Sequence, residues 1–132
     1  MSAVRGLGTG AGRSLKLLIV DDSNIMRRRI ERSQQYEELE VVGTAANGIE
    51  ALEMFRKTDP DMVTMDLTMP QMDGIECISK LVQLKPAVRI LVISALADKA
   101  TAVEAMERGA NGFLNKPFTD RQLNEAIADL MS

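Results

Sequence analysis

Five short, mostly apolar segments, each followed by a stretch whose apolar residues recur at helical spacing, constrain the fold of this chain more than any other feature. The segments are Leu15–Val20 (LKLLIV), Leu39–Ala45 (LEVVGTA), Met62–Met65, Arg89–Ile93 and Gly112–Asn115. Read as strands alternating with helices, they imply a parallel sheet covered on both faces.

The intervening stretches carry helix signals of their own. Ser23 or Asp22 can cap a first helix, in which Ile25, Met26 and Ile30 are expected to face inward. The turn pair Asn47-Gly48 leads into Ile49, Leu52 and Phe55, and Asp59-Pro60 ends that pattern. Asp73 caps a third helix with Ile75, Ile78, Leu81 and Val82 on one side. Asp98–Arg108 is an alanine-rich helix stopped by Gly109. The last helix opens with the capping box Thr119–Gln122 and is expected to bury Leu123, Ala126, Ile127 and Leu130. The expectation is an α/β fold: a five-stranded parallel sheet of order 2-1-3-4-5 with five helices on both faces. Right-handed crossovers leave few topologies, one reversal of winding covers both faces, and this order is the natural one for the size.

Composition then removes whole classes of function. At 132 residues the chain holds one domain and one core. That domain is expected over residues 15–132. Residues 1–14, with Gly6, Gly8, Gly10 and Gly12 and little apolar content, read as a flexible N-terminal extension. They have no apolar h-region, so no secretory signal is expected. No apolar run reaches the length of a membrane span. The net charge of −3 argues against nucleic-acid binding through bulk electrostatics. A single cysteine, Cys77, excludes an internal disulfide and fits a reducing, cytoplasmic setting. Cys77 itself reads as a small packed residue, and the nine methionines as core filler. The chain contains no histidine. No Ser–His or Cys–His pair, His-ligated metal or His general base can therefore exist here, and chemistry falls to carboxylates, hydroxyls, lysines or a borrowed metal ion.

Polar residues collect where a doubly wound sheet binds its ligands, beyond the carboxyl ends of the strands. Strand 1 ends in Asp21-Asp22, strand 3 in Asp66, strand 4 in Ser94 and strand 5 in Lys116. Strands 1 and 3 are neighbours in the expected order, so three carboxylates would converge on one crevice. Such charges repel strongly in a low effective dielectric. A divalent cation resolves the conflict, and oxygen-only ligands in an open, hydrated site favour Mg²⁺. Singly, each residue has a plainer explanation. An aspartate after a strand caps the next helix or shapes a turn, Ser94 alone is a loop hydroxyl, and Lys116 alone is a solvated lysine. That explanation weakens when all must coincide at the ends of different strands.

With those residues assembled, the sequence resembles the response-regulator receiver family, especially its stand-alone chemotaxis regulators of the CheY type, over residues 15–132. The resemblance is carried by LLIVDDS around Asp21-Asp22, VTMDLTMPQMDG around Asp66, VISA around Ser94 and FLNKPF around Lys116, in order and spacing. It implies a flavodoxin-like fold and a switch in a two-component phosphorelay. Asp66 would accept a phosphoryl group from a sensor histidine kinase. Asp22, Asp66 and the backbone carbonyl of Thr68 would ligate Mg²⁺, with Asp21 acting through a coordinated water. Lys116 would pair with one phosphoryl oxygen, Ser94 would hydrogen-bond another, and Lys116-Pro117 would be cis. Phe113 would be the aromatic switch residue. The face of helix 4, strand 5 and helix 5 would bind a downstream target, with a flagellar motor switch as one option. The resemblance further implies a cytoplasmic monomer and not an enzyme, beyond assisting its own phosphotransfer and dephosphorylation. Ser94 stands where threonine is common in the family and Phe113 where tyrosine is common. Thr68 and Leu96 occupy positions that influence access of water to the phosphoaspartate.

Three other readings compete. The chain could be the receiver half of a larger regulator. It could be a Mg²⁺-dependent phosphohydrolase with Asp66 as nucleophile, although Thr68 stands where such enzymes usually keep a second carboxylate. It could also be an adaptor indifferent to phosphorylation.

Overall fold

The computed structural model describes residues 14–96 and 98–132. The N-terminal extension expected over residues 1–14 lies, apart from Ser14, outside the described residues. The elements alternate strictly: β1 (Leu15–Val20), α1 (Asn24–Ser33), β2 (Leu39–Ala45), α2 (Gly48–Thr58), β3 (Met62–Met65), α3 (Gly74–Leu84), β4 (Arg89–Ser94), α4 (Lys99–Arg108), β5 (Gly112–Asn115) and α5 (Asp120–Met131). The sheet has five parallel strands in the order β2-β1-β3-β4-β5. This is the 2-1-3-4-5 order expected from the sequence. β4 runs one residue further than Ile93, so Ser94 belongs to the strand itself.

Strand residues alternate between two cores, because successive side chains point to opposite faces of a sheet. Leu18, Val20, Val63, Met65, Ile90 and Val92 pack against Ala51 and Phe55 of α2, Cys77, Ile78 and Leu81 of α3, and Ala105 of α4. Leu17, Ile19, Met62, Leu91 and Ile93 pack against Ile30 of α1 and Leu123, Ile127 and Leu130 of α5. Each fully buried side chain of this kind contributes about 1.5–3 kcal/mol. All four residues of β3 are buried. β3 is the central strand, and it carries Asp66 at its end.

Helix starts follow the cap residues. Ser23 accepts from the Met26 amide, Asn47 from Glu50, Asp73 from Glu76 and Asp98 from Thr101, while Thr119 and Gln122 form the full capping box. Asn47 thus serves as an N-cap rather than only a turn residue. α4 stops at Gly109, whose φ of 121° favours a residue without a Cβ.

One inward assignment does not hold. Ile25 is 81% exposed, and Ile49, which shares helical spacing with Leu52 and Phe55, is 48% exposed. The inward stripe of α1 is set by Met26 and Ile30, and one residue back from Met26 the helix has turned about 100° away. In α2 the stripe runs through Gly48, Ala51 and Phe55, which leaves Ile49 on the flank. No helix among the described residues is long and apolar enough to cross a membrane.

Candidate functional site: an acidic crevice at the strand ends

β1 and β3 lie side by side, with Val20 paired to Met65, so the residues that follow them emerge together. The Asp66 amide donates to the Val20 carbonyl at 3.0 Å, and the Asp21 amide to the Ala45 carbonyl at 3.0 Å. Carboxylate oxygens of Asp21, Asp22 and Asp66 consequently all lie within 4.8 Å of one another. Asp21 and Asp66 are buried, and Asp22 is exposed.

The three carboxylates differ in what holds them. Asp21 Oδ1 accepts the Ser23 amide at 2.9 Å, and Oδ2 accepts Lys116 Nζ at 2.7 Å. Arg27 Nη1 donates to the Asp21 carbonyl at 2.6 Å. Asp22 accepts no hydrogen bond among the described residues, so its carboxylate faces the crevice uncommitted. Asp66 Oδ1 is buried without a hydrogen-bond partner among the described residues. Lys116 Nζ stands 3.6 Å from it, close enough for attraction but too far for a hydrogen bond. Burial pushes the Asp66 carboxyl from 3.8 up to about 6, and the negative charge of Asp21 adds to the rise. Lys116 and the Thr68 backbone N–H oppose it, and Asp22 raises it further.

Ser94 is fully buried at the end of β4, where its Oγ accepts the Leu96 amide at 3.0 Å. Its carbonyl accepts the Lys116 amide at 2.9 Å, so the hydroxyl and the ammonium are carried on directly bonded backbones. Lys116-Pro117 is cis. Phe113, on β5, is half-buried and packs on the core formed with α2, α3 and α4. Thr68 is exposed in the loop after β3. Of the residues singled out from the sequence, the structure gathers Asp21, Asp22, Asp66, Lys116 and Thr68 at one point, with Ser94 one backbone bond from Lys116. Phe113 lies three residues back along β5 from Lys116.

A buried carboxylate oxygen without a partner, beside two more carboxylates and a single lysine, fits an oxygen-ligated divalent cation. Asp21, Asp22 and Asp66 are the carboxylates gathered closely enough to hold it.

Sequence reasoning missed two contributors. Gly74 opens α3 against the site: a Cβ there would lie 2.3 Å from the Asp66 carbonyl oxygen and 2.7 Å from Leu67 Cα. Only glycine allows this approach, and the MDG run in the loop was the available signal. Arg27 was hidden in the run Arg27-Arg28-Arg29, where nothing distinguishes the one that turns back to Asp21.

A parallel 2-1-3-4-5 sheet whose carboxyl ends present two acidic residues, a lone aspartate, a hydroxyl and a lysine defines a receiver module. A family model described as the response regulator receiver domain matches residues 17–128, and the chain belongs to that family. The chemotaxis protein CheY of Listeria monocytogenes is 39% identical over 113 residues, 86% of this chain and 95% of the relative. A protein-glutamate methylesterase/protein-glutamine glutaminase of Pseudoalteromonas atlantica is 46% identical over 123 residues, 89% of this chain and 32% of the relative. Among solved structures, the CheX–CheY–BeF3–Mg complex from Borrelia burgdorferi has a TM-score of 0.88 at 29% identity and covers 96% of both chains. The chain is accordingly a response-regulator receiver of the two-component class, and the phosphohydrolase reading is not favoured.

Proposed function

We propose that this receiver is a phosphorylation-driven switch in chemotaxis signalling, with Asp66 as the phosphoacceptor. The observation that carries the reading is the buried, unpartnered Oδ1 of Asp66 set 3.6 Å from Lys116 and within 4.8 Å of two further carboxylates. Asp66 attacks the phosphorus of a phosphohistidine in line, a P–O bond forms as the donor's P–N bond breaks, and the imidazole leaves with the electron pair. The histidine must come from another protein, a sensor kinase, because this chain has none. Such transfer depends on positioning and charge neutralisation more than on covalent help from the acceptor protein. When bound, Mg²⁺ supplies that neutralisation; Asp22, Asp66 and the Thr68 carbonyl would hold it, with Asp21 alongside.

Lys116 contributes the fixed positive charge. It bonds Asp21 at 2.7 Å in the resting molecule and needs to travel little to meet an oxygen on Asp66. The Ser94 hydroxyl, engaged by the Leu96 amide, hydrogen-bonds a second oxygen once it turns. That shift opens space beside β5 into which Phe113 rotates, altering the face of α4, β5 and α5 where a downstream protein binds. Biasing such a switch from 1:99 to 99:1 takes about 5.5 kcal/mol of differential stabilisation. The same groups assist loss of the phosphoryl group to water. The similarity to CheY proteins supports the chemotaxis assignment, with a flagellar motor switch as one target, and the single cysteine supports a cytoplasmic location; we read the module as a monomer.

Incubation with Mg²⁺ and acetyl phosphate, followed by intact-mass measurement, tests the reading. The expected result is addition of one phosphoryl group to wild type and none to Asp66→Asn. Equal labelling of the two would overturn it.

A second reading has one observation in its favour, the 46% identity to the part of a methylesterase that this chain spans. In that case the module regulates a linked output domain instead of a separate partner. Binding of a separate target that strengthens with beryllofluoride would decide for the first reading.

A further inference from the structure

Arg29 sits in mid-α1, on the side facing α5, and has no part in the chemistry described above. Its guanidinium lies 4.2 Å from the centroid of the Phe118 ring. Nη2 donates to the Phe118 carbonyl and stands 3.5 Å from Asp120 Oδ1. The Asp120 side chain is 68% exposed, so that pair contributes little. What remains is a grip on one residue from two directions: a charge-assisted hydrogen bond to its main chain and a cation over its ring. The ring is buried in the core formed with Leu123 and Ile127, so the grip has a fixed base.

Phe118 closes the segment Lys116-Pro117-Phe118. The near end of that segment is tied to the sheet, because the Lys116 amide donates to the Ser94 carbonyl at 2.9 Å. Pro117 has no N–H and a locked φ, so little slack separates the two ends. α1 itself begins two residues after Asp22, on the same crevice. Arg29 therefore references the lysine's segment to the helix that leaves the acidic pair.

We infer that Arg29 is a positioning residue for Lys116: by holding Phe118 through its carbonyl and ring, it sets Lys116 Nζ where it reaches both Asp21 and Asp66. The inference rests on the reading of Lys116 as the partner of the phosphoryl group. A guanidinium is suited to this task, since its planar fork can bond a carbonyl while its face covers a ring. Lysine at this position keeps a cation over the ring and loses the fork.

The test is a double-mutant cycle in the full chain, read as the second-order rate constant for phosphorylation by acetyl phosphate at saturating Mg²⁺. The chain has no tryptophan, so intact mass is the readout. Arg29→Met is expected to slow phosphorylation about tenfold, since small misplacements of positioned groups have effects of this order or larger. Mg²⁺ affinity of the unphosphorylated protein, measured by titration, stays within about twofold, because the ion's carboxylates do not touch Arg29. In a Lys116→Ala background the same substitution should have no further effect, which a merely structural role would not produce. Arg29→Lys is expected to give a smaller loss that also vanishes in that background, and it carries the test if Arg29→Met does not fold.

Wild-type rates in both Arg29 variants would overturn the inference, as would an equal slowing with and without Lys116. If Lys116→Ala is itself as fast as wild type, the role given to Lys116 falls and the inference with it. If Lys116→Ala is slow while the Arg29 variants are not, only the inference falls.

Discussion

Lys116 Nζ lies 2.7 Å from Asp21 Oδ2 but 3.6 Å from Asp66 Oδ1, so the crevice's one lysine is committed to the carboxylate that is not the proposed phosphoacceptor. The pair is buried on the aspartate side and 18% exposed on the lysine side. Removing one member of such a pair strands the other, which typically costs about 3–5 kcal/mol, and the partial exposure of Lys116 places this case near the lower figure. Lys116→Met should therefore lower stability by about 3 kcal/mol in urea unfolding without metal. Added Mg²⁺ should recover part of the loss, because it binds the folded crevice and not the unfolded chain. An unchanged urea midpoint would show that the pair is energetically idle.

Asp66 has the opposite effect on stability. Its carboxyl titrates at about 6 in the folded protein and at 3.8 in an unperturbed chain, so the folded state binds the proton more tightly. The strain of the ionised form is absent at low pH, develops as pH rises from 3.8 to about 6, and stays constant above. Without metal, Asp66→Asn should be more stable than wild type at pH 7 by about 1–3 kcal/mol, with the difference closing toward pH 4. Urea titrations of both proteins across this range provide the check. A gap that widens on acidification would contradict the burial of Asp66.

Gly74 is predicted to tolerate no side chain. A methyl group there meets the Asp66 carbonyl oxygen at 2.3 Å, and a backbone atom cannot swing aside as a side-chain tip can. Gly74→Ala should cost about 1–3 kcal/mol as an overpacked site. It should also weaken Mg²⁺ binding, because the displaced backbone carries Asp66. Thermal unfolding and Mg²⁺ titration of the same sample separate the two effects.

Cys77 should resist thiol reagents as long as the protein is folded. Burial, helped by the negative charges of Glu76 and Asp73, pushes the thiol up to about 12, and the thiol donates to the Gly48 carbonyl at 3.9 Å. The expected outcome is alkylation only above the unfolding transition, followed by mass at increasing urea. Rapid labelling of native protein would mean that α3 detaches from the sheet.

The fold was legible because its signals are local and agree with one another. Each strand bound fell within one residue of its expected place, and every helix began at a cap residue visible in the sequence, Ser23, Asn47, Asp73, Asp98 and Thr119. Ile25 faces solvent where an inward side chain is expected, because the first turn of a helix gives too few residues to set the phase of its apolar stripe. The convergence of Asp21, Asp22, Asp66 and Lys116 could be read from strand ends, given the order. The holding contacts could not. Arg27 on the Asp21 carbonyl and Arg29 on Phe118 join residues whose pairing depends on how α1 is rotated, and the consecutive arginines look alike in sequence. The left-handed Gln71, at φ 73°, had no glycine or asparagine to announce it.

Among the described residues β5 is the four-residue border of the sheet, hydrogen-bonded to β4 alone, and none of its residues is fully buried, whereas all four of β3 are. Phe113 belongs to this least protected strand and Lys116 follows it directly. Local opening at a border is the cheapest excursion open to such a molecule, and it would remove the lysine while the aspartates stay seated. Amide exchange should accordingly run ahead at Leu114 relative to Val63. The module can thus fall silent well below the temperature at which it melts, through the peeling of one short ribbon instead of the collapse of the whole.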